Sequence, residues 1–306
     1  MQSQKTADVY GGINTPFAGQ NTPSKFFKPI SILMTSFALA VSGFACGGSE
    51  DDDPPELEFI AVPGGEFTLT HDTTAHKSGE TLTMNAFSMA KTPVTVAQFK
   101  KCVDAGSCRH GYSEADEVSE ELGIFCNYNR GKGWKNHPMN CISHDTASSF
   151  CEWIGGRLPT DEEWEYAATH NGQTHLDTEY PWGDTPPVHC ETASYAISDE
   201  GTGKSTFCNG KSEVSEDEAI GTSEVGTYSP AGDSPLGFVD MMGNVKEWTD
   251  SRSDSFISNN PFISNSYATK GVSWYETYST NPDDNSITSI GIGVGFSDIL
   301  GFRCVK

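Results

Sequence analysis

Arg157-Leu158-Pro159-Thr160-Asp161-Glu162-Glu163-Trp164-Glu165-Tyr166-Ala167-Ala168 carries the clearest local instruction in the chain. After Pro159, Thr160 and Glu163 spell a reciprocal capping box. The threonine hydroxyl accepts from the N–H three residues on, and the glutamate reaches back to the cap N–H. The helix so opened turns Trp164, Ala167 and Ala168 inward. Just upstream, Ser143 is a cap for a second helix. Ala147, Phe150, Cys151 and Ile154 recur there at helical spacing until Gly155-Gly156 stops it. Further upstream, Thr95 and Gln98 form another capping pair, Val96, Phe99 and Val103 share a face, and Gly106 ends the run. Glu58 to Leu69 reads as a strand, a Pro63-Gly64-Gly65 turn and a second strand, a hairpin signal. Beyond Asn171 the chain is mostly turn chemistry. Few helices, short strands and much irregular chain are therefore expected, without an internal repeat.

Composition sets the class. With 36% hydrophobic residues, 306 residues can bury a substantial core. The 42 acidic against 19 basic residues leave a formal charge of −23, which repels nucleic acid and anionic lipid headgroups. Ser49 to Asp53 and Glu114 to Glu121 hold part of that charge and read as solvated tether and loop. Nine cysteines, 31 glycines and 16 prolines suggest a loop-rich fold held by crosslinks in an oxidising compartment.

The N-terminus reads as an export signal. Lys25 and Lys28 precede the uncharged stretch Pro29 to Ala45, which ends Ser42-Gly43-Phe44-Ala45-Cys46. That ending resembles a bacterial lipoprotein processing site, with Gly43 where such sites usually carry Leu. The resemblance implies acylation of Cys46 and a membrane-anchored protein of the cell envelope. Removing Cys46 leaves an even eight cysteines. The expected organisation is a signal peptide over 1–46, an acidic tether over 47–56 and one domain over 57–306.

Six segments within that domain run in a telling order: Val62 to Phe67, Lys91 to Thr95, Arg157 to Ala168, Tyr180-Pro181-Trp182-Gly183, Met242-Gly243-Asn244-Val245-Lys246-Glu247-Trp248 and Gly301-Phe302-Arg303-Cys304. Together they resemble the formylglycine-generating (sulfatase-modifying factor) family over nearly all of 57–306. The resemblance implies a disulfide-stabilised α+β fold, C-type-lectin-like, with little regular secondary structure. It also implies a disulfide between Cys151 and Cys304. The other six cysteines can pair locally as Cys102–Cys108, Cys126–Cys141 and Cys190–Cys208, a choice that sequence alone leaves open.

Active members of the family oxidise a sulfatase cysteine to formylglycine with oxygen and a copper(I) ion held by two thiolates. The segment that matches theirs is Gly271-Val272-Ser273-Trp274-Tyr275-Glu276-Thr277-Tyr278-Ser279-Thr280-Asn281. Glu276 and Asn281 take the two cysteine positions, while Ser273 and Trp248 match residues that line the family pocket. A cuprous ion selects soft thiolates, so no copper is expected. No arginine lies between Arg252 and Arg303, where the family usually has them, and the Gly- and Ile-rich run Ile290 to Gly295 stands there instead. The resemblance further implies calcium at Met242, Gly243, Val245 and Glu247, held by carbonyls and one acid. A second calcium position falls on Ser194, Tyr195, Asp217 and Ala219.

His110, His137, His144, His170, His175 and His189 share no metal-ligand spacing and read as surface or loop residues. The leading functional reading is a family member without copper chemistry, binding a peptide or other ligand. The alternatives are an oxygen-dependent protein-modifying oxidoreductase with altered chemistry and a structural envelope protein.

Overall fold

A computed structural model describes residues 54–69, 73–109, 125–171, 180–199, 204–219, 221–252, 266–277, 291–293 and 297–306. The expected signal segment, Cys46, Asn281, His110, His175 and the acidic run 114–121 lie outside the described residues.

All three helices form where the caps place them. Helix α1 is Val96–Asp104 behind the complete Thr95/Gln98 box, α2 is His144–Trp153 behind Ser143, and α3 is Asp161–Thr169 behind the Thr160/Glu163 box. A surface helix hides one stripe; α3 instead buries Asp161, Trp164, Glu165, Tyr166, Ala167, Ala168 and Thr169. Its polar members are matched from distant chain. Ser251 Oγ donates to Asp161 at 2.7 Å, and Lys270 Nζ stands 3.2 Å from Glu165 Oε2 with both side chains fully enclosed.

The hairpin expected at Pro63-Gly64-Gly65 does not form. Strand β1 (Phe59–Val62) pairs antiparallel with β4 (Phe87–Ala90), and β2 (Gly65–Thr68) pairs antiparallel with β3 (Thr81–Met84). The turn is a corner between two sheets. Its glycines serve close approach: a Cβ on Gly64 would stand 2.8 Å from the Met84 carbonyl, and one on Gly65 2.9 Å from the Tyr166 hydroxyl.

Strands β5 (Ile197–Asp199), β6 (Lys204–Asn209) and β7 (Ser212–Ser215) form an antiparallel meander. Strands β8 (Lys246–Arg252), β9 (Tyr267–Lys270), β10 (Gly291–Gly293) and β11 (Leu300–Gly301) make a sheet in the order β10-β9-β8-β11, with β11 parallel to β8. After β11 the chain end is sewn to β4 and to Arg157: Ala90 N–H donates to Cys304 O at 2.8 Å, and Arg157 and Val305 exchange bonds of 2.8 and 2.9 Å.

Two apolar clusters form the main core. One gathers Phe67, Met89, Trp164, Tyr166, Tyr195 and Phe238 around α3; the other sets Phe99 of α1 and Phe150 of α2 against Trp248, Leu300 and Phe302. Four disulfides pin this frame: Cys102–Cys108, Cys126–Cys141, Cys151–Cys304 and Cys190–Cys208. They include both the pair implied by resemblance and the three local options. Among the described residues no helix is long and apolar enough to cross a membrane.

Three histidines are not at the surface: His137, His144 and His170 are buried. His137 rests on Trp134 at 4.1 Å between ring centroids, and its Nδ1 lies 3.0 Å from Thr222 Oγ1. Burial pushes its pKa down to about 4, opposed by Glu224 and assisted by Arg130. Between that value and the ordinary 6.5, the unfolded chain takes up the proton more readily than the folded one. This contribution to stability is present above 6.5 and is lost as pH falls toward 4. We expect His137→Gln to flatten the pH dependence of the unfolding free energy, read from urea curves, by about 2 kcal/mol over that window. Parallel curves for both proteins would refute the assignment.

Candidate functional site

The Met242–Trp248 turn is built by two left-handed residues. Gly243 has φ +84°, and a Cβ there would stand 2.5 Å from Ser194 O. Asn244 follows at φ 67°. Its side chain clamps Ser223: Oδ1 accepts from Ser223 N–H at 3.0 Å, and Nδ2 donates to Ser223 O at 3.2 Å. Its carbonyl accepts from Trp274 N–H at 2.9 Å, which ties this turn to the segment that follows β9. Preceding it, Asp240 is buried, and burial pushes its carboxyl up to about 6.

The turn launches β8, and alternation along that strand sends neighbouring side chains to different surroundings. Glu247 points into the protein. Its carboxylate accepts from Trp164 Nε1 at 2.8 Å, Arg303 Nε at 2.6 Å and Arg303 Nη2 at 2.7 Å. Trp248 joins the second core cluster and donates its indole N–H to Ile142 O at 2.9 Å. Lys246 meets Glu276: Nζ donates to Oε1, while Glu276 Oε2 accepts from Ser273 N–H at 2.8 Å. Ser273 is fully enclosed, and its hydroxyl has no hydrogen-bond partner among the described residues.

The structure thus brings Ser273 and Glu276 together and adds Lys246, which the sequence reading missed. No local signal marked it, since Glu276 lies 30 residues on and meets it only in the fold. Trp248 is a core anchor whose polar atom is spent elsewhere.

Neither implied metal fits these groups. At the copper position Glu276 offers a hard carboxylate already paired with Lys246, and every described cysteine is in a disulfide. At the calcium position the only acid, Glu247, is neutralised by Arg303 in a pair with exposures of 0% and 1%. A calcium ion would compete with the guanidinium for the same two oxygens. At the second position, Ser194 O accepts from Asn244 N–H at 2.9 Å, Tyr195 O lies 2.8 Å from His189 Nε2, and Asp217 is exposed.

Short strands, three capped helices and four crosslinks around a Gly-Asn turn define a disulfide-pinned α+β class with little regular structure. The chain belongs to the sulfatase-modifying factor family: residues 48–306 match the Sulfatase-modifying factor enzyme 1-like domain. It is 26% identical over 287 residues to the Inactive C-alpha-formylglycine-generating enzyme 2 of Bos taurus, covering 82% of this chain and 88% of that protein. It is also 26% identical over 307 residues to the Formylglycine-generating enzyme of Mus musculus, covering 81% and 74%. The crystal structure of CarF shares the fold at a TM-score of 0.56 and 19% identity, covering 82% of this chain and 98% of that one.

Proposed function

We propose that this family member has given up copper oxidation and uses the Ser273–Glu276 region to bind a peptide or another ligand, as an exported lipoprotein anchored to the bacterial envelope through Cys46. The carrying observation is the Lys246–Glu276 ion pair at a position where the family's chemistry requires a thiolate. Glu276 is about one-third exposed and Lys246 14%, so the pair reaches solvent. Ser273, itself enclosed, fixes the Glu276 carboxylate through its backbone N–H.

One preparation tests both halves. Mature protein extracted from membranes is expected to begin at an acylated Cys46 by mass. Given copper(I), oxygen and a peptide bearing a sulfatase cysteine motif, it is expected to leave the peptide mass unchanged. A soluble mature chain starting elsewhere overturns the anchor. Turnover comparable to an active family member overturns the loss of chemistry and favours the oxidoreductase alternative.

A further inference from the structure

The sequence shows no metal-ligand spacing around His189, yet the fold gathers a ligand set there. His189 and Cys190 come from the turn before β5, Cys208 lies on β6, and Glu213 is its direct cross-strand partner on β7. His189 Nε2 lies 2.8 Å from the Tyr195 carbonyl. A carbonyl only accepts, so in the neutral ring Nε2 carries the proton and Nδ1 presents its lone pair. That is the arrangement in which a backbone carbonyl orients a metal-binding imidazole. Nδ1 lies 3.6 Å from Cys190 Sγ and 3.3 Å from Glu213 Oε1. The ligand atoms of His189, Cys190 and Cys208 all fall within 4.8 Å of one another.

Those spacings match a tetrahedral shell. With metal–sulfur bonds of about 2.3 Å and metal–nitrogen bonds of about 2.0 Å, the sulfur–nitrogen edge is about 3.5 Å and the sulfur–sulfur edge about 3.8 Å. The first edge is already present. The second needs the Cys190–Cys208 bond to open, and Glu213, 64% exposed at its side chain, is free to swing in as a fourth ligand.

We propose that the Cys190–Cys208 crosslink masks a zinc(II) site of Cys190, Cys208, His189 and Glu213, uncovered when a dithiol reduces the disulfide. In that step a reductant thiolate attacks one sulfur, a mixed disulfide forms, and the reductant leaves as its own disulfide. Its two electrons and two protons pass to Cys190 and Cys208. Zinc then displaces both thiol protons, and the two thiolates, neutral His189 and ionised Glu213 bind it. The site is distinct from Glu276, so its outcome is independent of the pocket reading.

The test uses the mature full-length chain, opened with a limiting dithiol under anaerobic conditions and freed of reductant, with alkylation mapping to show which disulfide has opened. Zinc is titrated against a chromophoric chelator, and cobalt(II) replaces it to reveal thiolate-to-metal charge transfer. We expect one zinc per reduced chain and none per oxidised chain. His189→Ala is expected to weaken binding roughly 100-fold. Cys190→Ser with Cys208→Ser should abolish it, and Cys102→Ser with Cys108→Ser should leave it intact. Zinc binding that survives loss of Cys190 and Cys208 overturns the site, as does no zinc binding with that crosslink shown open. Unfolding on reduction that zinc fails to reverse, read by near-UV circular dichroism, overturns it as well.

Discussion

Arg303→Met is expected to lower the unfolding free energy by about 3–5 kcal/mol, the cost of leaving a buried charge without its partner. Arg303 is completely enclosed, and its guanidinium holds both oxygens of Glu247. It also donates to the carbonyls of Lys91 at 3.1 Å and Val239 at 2.8 Å. One side chain therefore joins the residue after β4, the loop before the Gly-Asn turn, and β8. Methionine fills a similar length but supplies no donor, so the Glu247 carboxylate keeps only the Trp164 N–H and the Val239 carbonyl loses the guanidinium, while the Lys91 carbonyl retains the Val239 N–H at 2.9 Å. Glu247→Gln should cost a comparable amount by stranding the guanidinium. The double variant should recover part of the summed loss, because neither charge then remains alone. Urea midpoints of the four proteins measure this coupling. A loss below about 1 kcal/mol for Arg303→Met would show that water reaches the pair and that the salt bridge contributes no more than a surface one.

What the sequence disclosed follows the range of the interaction involved. The caps at Thr95, Ser143 and Thr160 were legible because each is completed within three residues. The Pro63-Gly64-Gly65 corner misled, because a turn between two strand-like runs looks the same whether they pair with each other or with β3 and β4. Its glycines answer to Met84 and Tyr166, which are remote in sequence. The burial of α3 on every side was hidden for the same reason. The sequence marks only Trp164, Ala167 and Ala168 as inward, and Ser251 and Lys270, the partners of the buried Asp161 and Glu165, come from β8 and β9.

The candidate site divides similarly. Replacement of a thiolate position by Glu276 shows in the motif itself. The Lys246 that meets it shows only once β8 and the turn after β9 are side by side. Asn281 lies outside the described residues, so half of the substituted pair is known by identity alone. The His189 cluster escaped because an even count of eight cysteines after Cys46 directs attention to crosslinks. The imidazole beside one of them has no periodicity to reveal it.

Removal of the Cys151–Cys304 disulfide is expected to cost far more than removal of Cys102–Cys108, and the contrast tests why the fold tolerates so little regular structure. The two crosslinks span 153 and 6 residues. In the chain-entropy model the longer closure restricts the unfolded ensemble by about 5 kcal/mol and the shorter by about 2 kcal/mol. Placement widens the gap. Cys151 sits fully buried on α2, and Cys304 lies fully buried where the chain end is sewn to β4 and Arg157, so this bond holds the second core cluster closed across the whole domain. Cys102–Cys108 only clips the loop after α1, where backbone bonds from Ser107 and Cys108 to Cys102 O already fix the turn. Paired alanine replacements are the cleanest comparison, since they leave no lone thiol to misconnect and no serine hydroxyl buried without a partner. The Cys151→Ala/Cys304→Ala protein is expected to lose more than Cys102→Ala/Cys108→Ala in urea unfolding by at least the entropic difference of about 3 kcal/mol. Equal losses would mean that the C-terminal strand and α2 stay together in the unfolded ensemble without the bond, and that the crosslink follows the fold rather than holding it.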